Sequence, residues 1–289
     1  ENLNEINREF SRLNEHILSA NINYQHDFAF GDFTPTLKMG GYTEYRTREY
    51  NTRLFIYSWK NGLPSNYRVM NVPDELMQDK NYGEDKLYLL EQVDWRNNYE
   101  GNNMLGAGYA GVNLPFGKWN IYAGVRFEHS RMELISNTQK NEKSPTSVYY
   151  TYDDFFPSLN AAYRLNEQHQ FRLSYGRTVN RPEFREVSSS VYYDFDLASN
   201  VQGNYDLKAA YIDNIDLGYE YYPSNGELIS VSLFYKKFKN PIEWTYTVAG
   251  GTDLIYSYIN AKGADNYGVE VDIRKNLDFI GMKNFSLSL

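Results

Sequence analysis

Hydrophobic and polar residues alternate one by one along most of this chain. Between Trp119 and Glu128, apolar side chains at the odd positions alternate with more polar ones at the even positions. Residues 18–25, 229–236 and 267–274 show the same alternation. Successive side chains of a β-strand point to opposite faces. The pattern therefore predicts an all-β chain whose strands each have one apolar and one polar wall.

Short and long connections take turns between these segments. The five short turn clusters are Gly31–Pro35, Pro115–Lys118, Leu165–His169, Pro223–Glu227 and Asn276–Asn284. The four long polar connections are Tyr57–Tyr99, Ile135–Tyr152, Arg181–Ala210 and Asn240–Asp253. Short turns at one end and long loops at the other are typical of antiparallel transmembrane β-barrels. We expect about nine complete strands and the start of a tenth at Phe285.

Aromatic residues are unusually frequent, with 28 Tyr, 16 Phe and 4 Trp. Tyrosines cluster near the predicted strand ends, where amphipathic rings suit a membrane–water interface. These clusters are Tyr42, Tyr45 and Tyr50; Tyr149, Tyr150 and Tyr152; and Tyr219, Tyr221 and Tyr222. A mean hydropathy of −0.65 fits a barrel, because polar lumen and loop residues dilute the apolar belt.

Charge and composition exclude several classes of function. The net charge is −8, and the absence of a basic run argues against nucleic acid as a partner. The chain has no cysteine, which excludes disulfides, thiolate metal sites and cysteine nucleophiles.

No motif in the chain predicts catalysis or a bound cofactor. Gly106–Gly111 has the letters of a dinucleotide-binding loop, but a turn follows it where that loop needs a helix. His16, His26, His129 and His169 lack the spacing of a zinc site. Asp153–Asp154 and Asp194–Asp196 are candidates for a calcium site, although solvated loop charges are the more frequent case. We therefore predict no enzyme, no metal and no cofactor.

Charged residues of both signs fall on the polar walls, where they face water or a plug and can pair. They are Arg126, Glu128, Arg172, Asp216, Glu220, Glu270, Asp272 and Arg274. At the end of the chain, the alternating run Phe285–Leu289 would leave an open barrel edge. Unpaired edges cost on the order of tens of kcal/mol in hydrocarbon, so we expect residues 1–289 to be part of a longer chain.

A set of short segments occurs in a fixed order along the chain: Ala107–Ala110, Ala123–Glu128, Phe156–Leu165, Phe171–Val179 with Arg181–Pro182, Gly203–Asn204, Leu207–Lys208, Asp216–Tyr222, Ser232–Phe238, Pro241–Glu243, Asn260–Gly263 and Tyr267–Glu270. In order and spacing they resemble the barrel of TonB-dependent outer-membrane receptors, especially of the Bacteroidetes type. Tyr205, Ala209 and Ala210 depart from the family pattern in one loop.

The resemblance implies part of a 22-stranded barrel whose plug domain lies outside this chain. It also implies a cell outer-membrane location, contact with outer-membrane lipids, and coupling to the TonB–ExbB–ExbD complex through the plug. A surface lipoprotein is a further candidate partner.

The leading hypothesis is a transporter that binds a scarce nutrient (a siderophore, corrinoid, glycan or peptide) and imports it with TonB-derived energy. The loop aromatics Trp59, Trp95, Trp244 and Tyr246 are candidate ligand contacts. Two alternatives remain open: an outer-membrane structural or adhesion barrel without transport, and a soluble carbohydrate-binding β-sandwich.

Overall fold

The computed structural model describes residues 5–59, 77–250, 253–282 and 285–289. Within them, most residues lie in antiparallel strands. The strands of the main sheet are β1 (Glu5–Asp27), β2 (Thr36–Trp59), β3 (Leu87–Gln92), β4 (Tyr99–Phe116), β5 (Trp119–Asn137), β6 (Pro145–Arg164), β7 (His169–Asn180), β10 (Ala210–Tyr221), β11 (Leu228–Lys239), β14 (Gly263–Asn276) and β15 (Ser286–Ser288). The strands of a smaller second sheet are β8 (Val191–Asp194), β9 (Ser199–Gln202), β12 (Ile242–Gly250) and β13 (Asp253–Asn260).

Helices are short in the described ranges. They are the α-helix α1 (Phe184–Val187) and three turns of 3-10 helix at Asp79–Asn81, Trp95–Asn97 and Asp278–Ile280. No helix among the described residues is long and apolar enough to cross a membrane.

The main sheet is a meander with the strand order β1-β2-β4-β5-β6-β7-β10-β11-β14-β15, and β3 pairs with the far end of β2. All of its pairings are antiparallel, with up to 23 residues in register between β1 and β2. Four of the five predicted short turns are confirmed and lie together at one end of this sheet. Of the fifth, Asn276–Asn284, residues 283–284 lie outside the described residues.

The two faces of the main sheet are reversed relative to those of a water-soluble protein. Leu173, Leu217, Leu233 and Val269 oppose one another on four neighbouring strands and are 44–64% exposed. The opposite wall carries Arg172, Gly218, Ser232 and Glu270 in the adjacent register. A continuous exposed apolar surface of this kind marks an interaction with lipid or protein.

Aromatic rings end this apolar band on both sides. Trp119 and Tyr163 lie 4.7 Å apart at the short-turn end, and Phe127 and Phe155 lie 5.0 Å apart on the same wall further along the strands. Tyr50 and Tyr150, however, are buried on the opposite wall. The prediction that they lie at a membrane interface is wrong, because their strands continue past the band and their rings pack against a folded connection.

All four long connections contain strands among their described residues, and the predicted loop Arg181–Ala210 holds α1, β8 and β9. The predicted loop Ile135–Tyr152 is mostly strand, and only residues 138–144 link β5 to β6. The predicted loop Asn240–Asp253 contains β12, which forms a hairpin with β13. Of Tyr57–Tyr99, residues 60–76 lie outside the described residues, and the rest includes β3.

Candidate ligand-binding vestibule

The connection between β7 and β10, residues 181–209, is hereafter the inner connection. It folds back onto the polar wall of the main sheet instead of extending away from it. Buried side chains of the connection and of the wall form one hydrophobic cluster with a tyrosine of β13. The cluster comprises Tyr50, Tyr99, Met132, Leu134, Tyr150, Phe184, Val187, Val201, Leu207 and Tyr258. The main core among the described residues therefore lies between the wall and the inner connection.

An ionic clamp holds the beginning of the inner connection. Arg181 donates from Nη1 to Glu128 and from Nη2 to Asp154, each at 2.8 Å. Arg126 donates to the same Glu128 at 2.6 Å, and the Tyr211 hydroxyl donates to Asp154 at 2.6 Å. The side chains of Arg181, Glu128 and Asp154 are only 19%, 11% and 10% exposed. Charge-assisted hydrogen bonds in such partly dry surroundings are stronger than exposed ones.

Phe184 is the second anchor of the inner connection and is 1% exposed. Its ring lies directly against Gly101 of β4, where any Cβ atom would overlap the ring. The guanidinium groups of Arg46 and Arg48 lie 5.3 and 5.5 Å from the ring centre. Both arginines also pair with Glu15 of β1. Glycine at position 101 therefore creates the space that seats the connection.

Glu183 and Glu186 stabilise the short helix α1. The Glu183 backbone N–H donates to the Glu186 carboxylate at 2.9 Å, as part of a capping box. Arg46 pairs with Glu183 at 3.1 Å. Burial, opposed by this hydrogen bond, raises the pKa of the Glu186 carboxyl above its usual value.

The smaller sheet, hereafter the mouth sheet, joins two connections that are distant in sequence. Its strand order is β12-β13-β9-β8, and a short parallel pairing of β13 with β9 links the two hairpins. Asn260, at the end of β13, also links the two connections. Its side-chain amide accepts a hydrogen bond from the Lys208 N–H at 2.8 Å and donates one to the Lys208 carbonyl at 2.9 Å. Asn240, in a left-handed conformation with φ of 53°, stands at the bend between β11 and β12. The two connections therefore form one unit.

The mouth sheet brings together two of the four aromatic residues predicted to contact a ligand. Trp244 and Tyr246 lie on one face of β12 and are 52% and 60% exposed. The Trp244 ring lies 4.7 Å from that of Tyr258, and Tyr246 lies 6.0 Å from Tyr256. These rings form a partly exposed aromatic surface.

The other two predicted contacts lie elsewhere. Trp59 ends β2 opposite Leu87 of β3. Trp95 is half-buried, with the Lys143 ammonium 4.6 Å from its ring centre. The structure therefore does not bring these two tryptophans into the aromatic surface of β12.

The acidic pairs considered for calcium have other partners. Asp153 contacts His129 at 2.8 Å, and Asp154 belongs to the Arg181 clamp. Asp194 accepts from the backbone N–H groups of Asp196 and Leu197. No group of three or more metal-binding side chains occurs among the described residues. Gly106–Gly111 lies inside β4, with no helix after it.

The predicted pairing of inward charges is confirmed for Arg126 with Glu128 and for Arg172 with Glu220. The roles of Arg181, Phe184 and Gly101 were not predicted, because they depend on contacts between segments far apart in the chain. The Arg181–Pro182 pair directly after β7 belongs to the family resemblance, but nothing in the local pattern indicated its partners Glu128 and Asp154.

Comparisons with known proteins agree with this architecture. Residues 2–289 match the family described as TonB dependent receptor-like, beta-barrel. No curated protein sequence is significantly similar to the chain.

Solved structures share the fold at low sequence identity. The unliganded ferric citrate transporter FecA superposes with a TM-score of 0.63 at 15% identity, over 98% of this chain and 35% of FecA. The ferric-catecholate import receptor Fiu from E. coli gives a TM-score of 0.57 at 16% identity, over 92% of this chain and 36% of Fiu. The hemophore receptor HasR of Serratia marcescens gives 0.50 at 11% identity, over 91% of this chain and 46% of HasR. This chain thus spans about a third of FecA and Fiu, and it belongs to the β-barrel family of TonB-dependent receptors.

Proposed function

We propose that this chain is the barrel portion of an outer-membrane active transporter. The transporter binds a scarce nutrient (a siderophore, corrinoid, glycan or peptide) and imports it with TonB-derived energy. The whole protein belongs in the cell outer membrane as a multi-pass barrel, and the 22-strand count and the Bacteroidetes type stay predictions.

The reversed faces of the main sheet carry this proposal. A band of exposed leucine and valine side chains, bounded by aromatic rings, suits lipid. The charged opposite wall suits a water-filled or plugged lumen. A soluble sandwich buries its apolar faces between two sheets, and the apolar face of this meander is exposed. That difference favours the membrane barrel.

The mouth sheet is the proposed ligand surface. Trp244 and Tyr246 present ring faces that can stack on a flat or apolar part of a ligand. Trp59 and Trp95 remain predicted loop contacts outside this surface. In the whole protein, the partners are outer-membrane lipids, the TonB–ExbB–ExbD complex through the plug, and a surface lipoprotein.

Uptake by cells tests the transport function. The full-length receptor would be expressed in a receptor-deficient Gram-negative strain, with and without its TonB protein. Accumulation of four labelled probes would be measured: a ferric siderophore mixture, cyanocobalamin, a maltodextrin and a mixed peptide digest. We expect uptake of at least one probe class that requires both receptor and TonB. No TonB-dependent uptake of any class would favour the structural or adhesion barrel.

Trp244→Ala tests the aromatic surface within the same assay. We expect weaker uptake with an unchanged amount of folded receptor, because the tryptophan is half exposed and removing it opens no core cavity. Trp119→Ala, at a tryptophan of the apolar wall that is 44% exposed, is the matched control and should leave uptake unchanged. Uptake unchanged by Trp244→Ala would exclude this residue as a ligand contact.

A further inference from the structure

The outer edge of β12 is open along the strand. Among the described residues, β12 pairs only with β13. Directly before the strand, the Ala261 N–H donates to the carbonyl of the opposing Pro241 at 2.9 Å. In an antiparallel ladder, hydrogen-bonded residue pairs alternate with pairs that are not hydrogen-bonded. This one contact therefore determines which residues of β12 bond to β13. Residues 243, 245 and 247 therefore bond to β13, and the N–H and C=O groups of Trp244 and Tyr246 point to the open edge.

This edge also lacks the features that normally protect one. Exposed edges are usually blunted by lysine, proline, inward charges or bulges. Between Ile242 and Gly250 the only charged residue is Glu243, and the register shift comes only at Val248–Gly250. Trp244, Tyr246 and Val248 are 52%, 60% and 64% exposed beside the edge.

We propose that an extended peptide binds along β12 as an additional strand of the mouth sheet. Its backbone would pair with the outward N–H and C=O groups of Trp244 and Tyr246, as in other cases of strand addition. Every second side chain of the peptide would lie beside the Trp244, Tyr246 and Val248 side chains on the same face of the sheet. Because Glu243 supplies the only charge of the strand, the peptide is neutral or basic.

This inference rests on the proposed function and selects the peptide from its four nutrient classes. The open edge of β12 can pair only with a ligand that has its own row of N–H and C=O groups, and this requirement points to a peptide. Siderophores, corrinoids and glycans do not present a regular row of amide groups at strand spacing. The competing occupant is a neighbouring connection of the same receptor, which would cover the edge before any ligand arrives.

Hydrogen exchange on the full-length receptor in detergent separates these two occupants. We expect the amides of Trp244 and Tyr246 to exchange fast without peptide, while those of Thr245 and Thr247 are protected by β13. Slow exchange at all four positions in the ligand-free receptor would show that the receptor's own chain covers the edge, and would overturn the proposal.

Binding is then measured with a defined probe. The probe is a library of synthetic octapeptides in which valine or threonine occupies every second position and the positions between them are randomised. Its twin carries an N-methyl group at every residue, which removes the backbone donors from both edges of the peptide. We expect retained peptides to bind about tenfold or more weakly when N-methylated, since several backbone hydrogen bonds are lost. Equal retention of both libraries, or retention of neither, would overturn the proposal.

Two substitutions at one position isolate the backbone contribution. Tyr246→Ala removes the ring and keeps the N–H group, whereas Tyr246→Pro removes both. Proline is tolerated on an edge strand when its nitrogen faces outward, so both variants should fold, as their unchanged exchange in β13 would confirm. We expect Tyr246→Pro to bind the peptides several-fold more weakly than Tyr246→Ala, and equal affinities would contradict strand addition. If TonB-dependent uptake persists while peptide binding fails, only this inference falls and the transport function stands.

Discussion

Replacing Arg181 by methionine is expected to release the inner connection from the wall. Arg181 is the one cation in contact with both Glu128 and Asp154 among the described residues, and all three side chains are at least four-fifths buried. Methionine keeps most of the apolar volume but leaves the two carboxylates with one partner each, Arg126 and Tyr211. The variant therefore tests the charge of the clamp and not the space that it fills.

The expected cost is about 3 kcal/mol. Removing one partner of a buried ion pair costs about 3–5 kcal/mol, and the lower end applies here because Arg126 and Tyr211 still contact the carboxylates. Since about 1.4 kcal/mol is a tenfold change in an equilibrium constant, local opening of the inner connection should become roughly 150-fold more frequent.

Hydrogen exchange of the full-length receptor, read on the peptide that covers residues 184–190, measures this opening. Adding Asp154→Asn to Arg181→Met should recover part of the protection, because it removes one of the unpaired charges. Arg172→Met is the matched control. Its ion pair with Glu220 involves an arginine that is 58% exposed, and exposed pairs contribute only about 0–1 kcal/mol. Protection of residues 184–190 that stays within threefold in Arg181→Met would refute the clamp.

Three further outcomes follow from the same contacts. Gly101→Ala should displace Phe184 and increase proteolytic cleavage in the inner connection. Gly106→Ala is the control, because a Cβ atom there meets nothing within 4 Å, and it should not increase cleavage. Equal cleavage of the two variants would contradict the packing of the Phe184 ring against Gly101. Leu217→Arg should cost about 2–4 kcal/mol in a urea titration of the receptor in vesicles, whereas Ser232→Arg, on the polar wall opposite Glu270, should cost much less. Equal costs would argue against a lipid contact. Because the pKa of Glu186 is raised in the folded protein, its contribution to stability is complete below the unfolded value of 4.5 and is lost as the pH rises through the folded pKa. The protection of α1 against hydrogen exchange should therefore fall over that rise in pH in the parent protein and not in Glu186→Gln. Identical pH profiles of the two proteins would be the contrary result.

The alternation of side chains was sufficient to predict the wall of the barrel. The apolar and polar faces of β5 lie where the pattern puts them, and so do the turns that follow β1, β4, β6 and β10. This worked because a strand with an apolar environment on one face and a polar environment on the other alternates at every residue.

The same reasoning failed where strands continue beyond the band. Tyr150 lies on the polar wall and is buried by the inner connection, so the contrast between the two faces is lost there and Ile135–Tyr152 was predicted as a loop. Arg181, Phe184 and Gly101 come together only through the tertiary fold. No local pattern could have paired a glycine of β4 with a phenylalanine 83 positions later.

The contact of the apolar face with lipid is the central claim, and a nitroxide label at Leu217 tests it most directly. The chain has no cysteine, so Leu217→Cys introduces one reactive site into it. Phe195→Cys, at a side chain that is 86% exposed between β8 and β9, gives the reference value for a label in water. Power saturation would be measured in the full-length receptor in lipid vesicles. Greater collision of the Leu217 label with oxygen than with a water-soluble nickel complex is the predicted result. A nickel accessibility equal to that of the Phe195 label would contradict the membrane barrel.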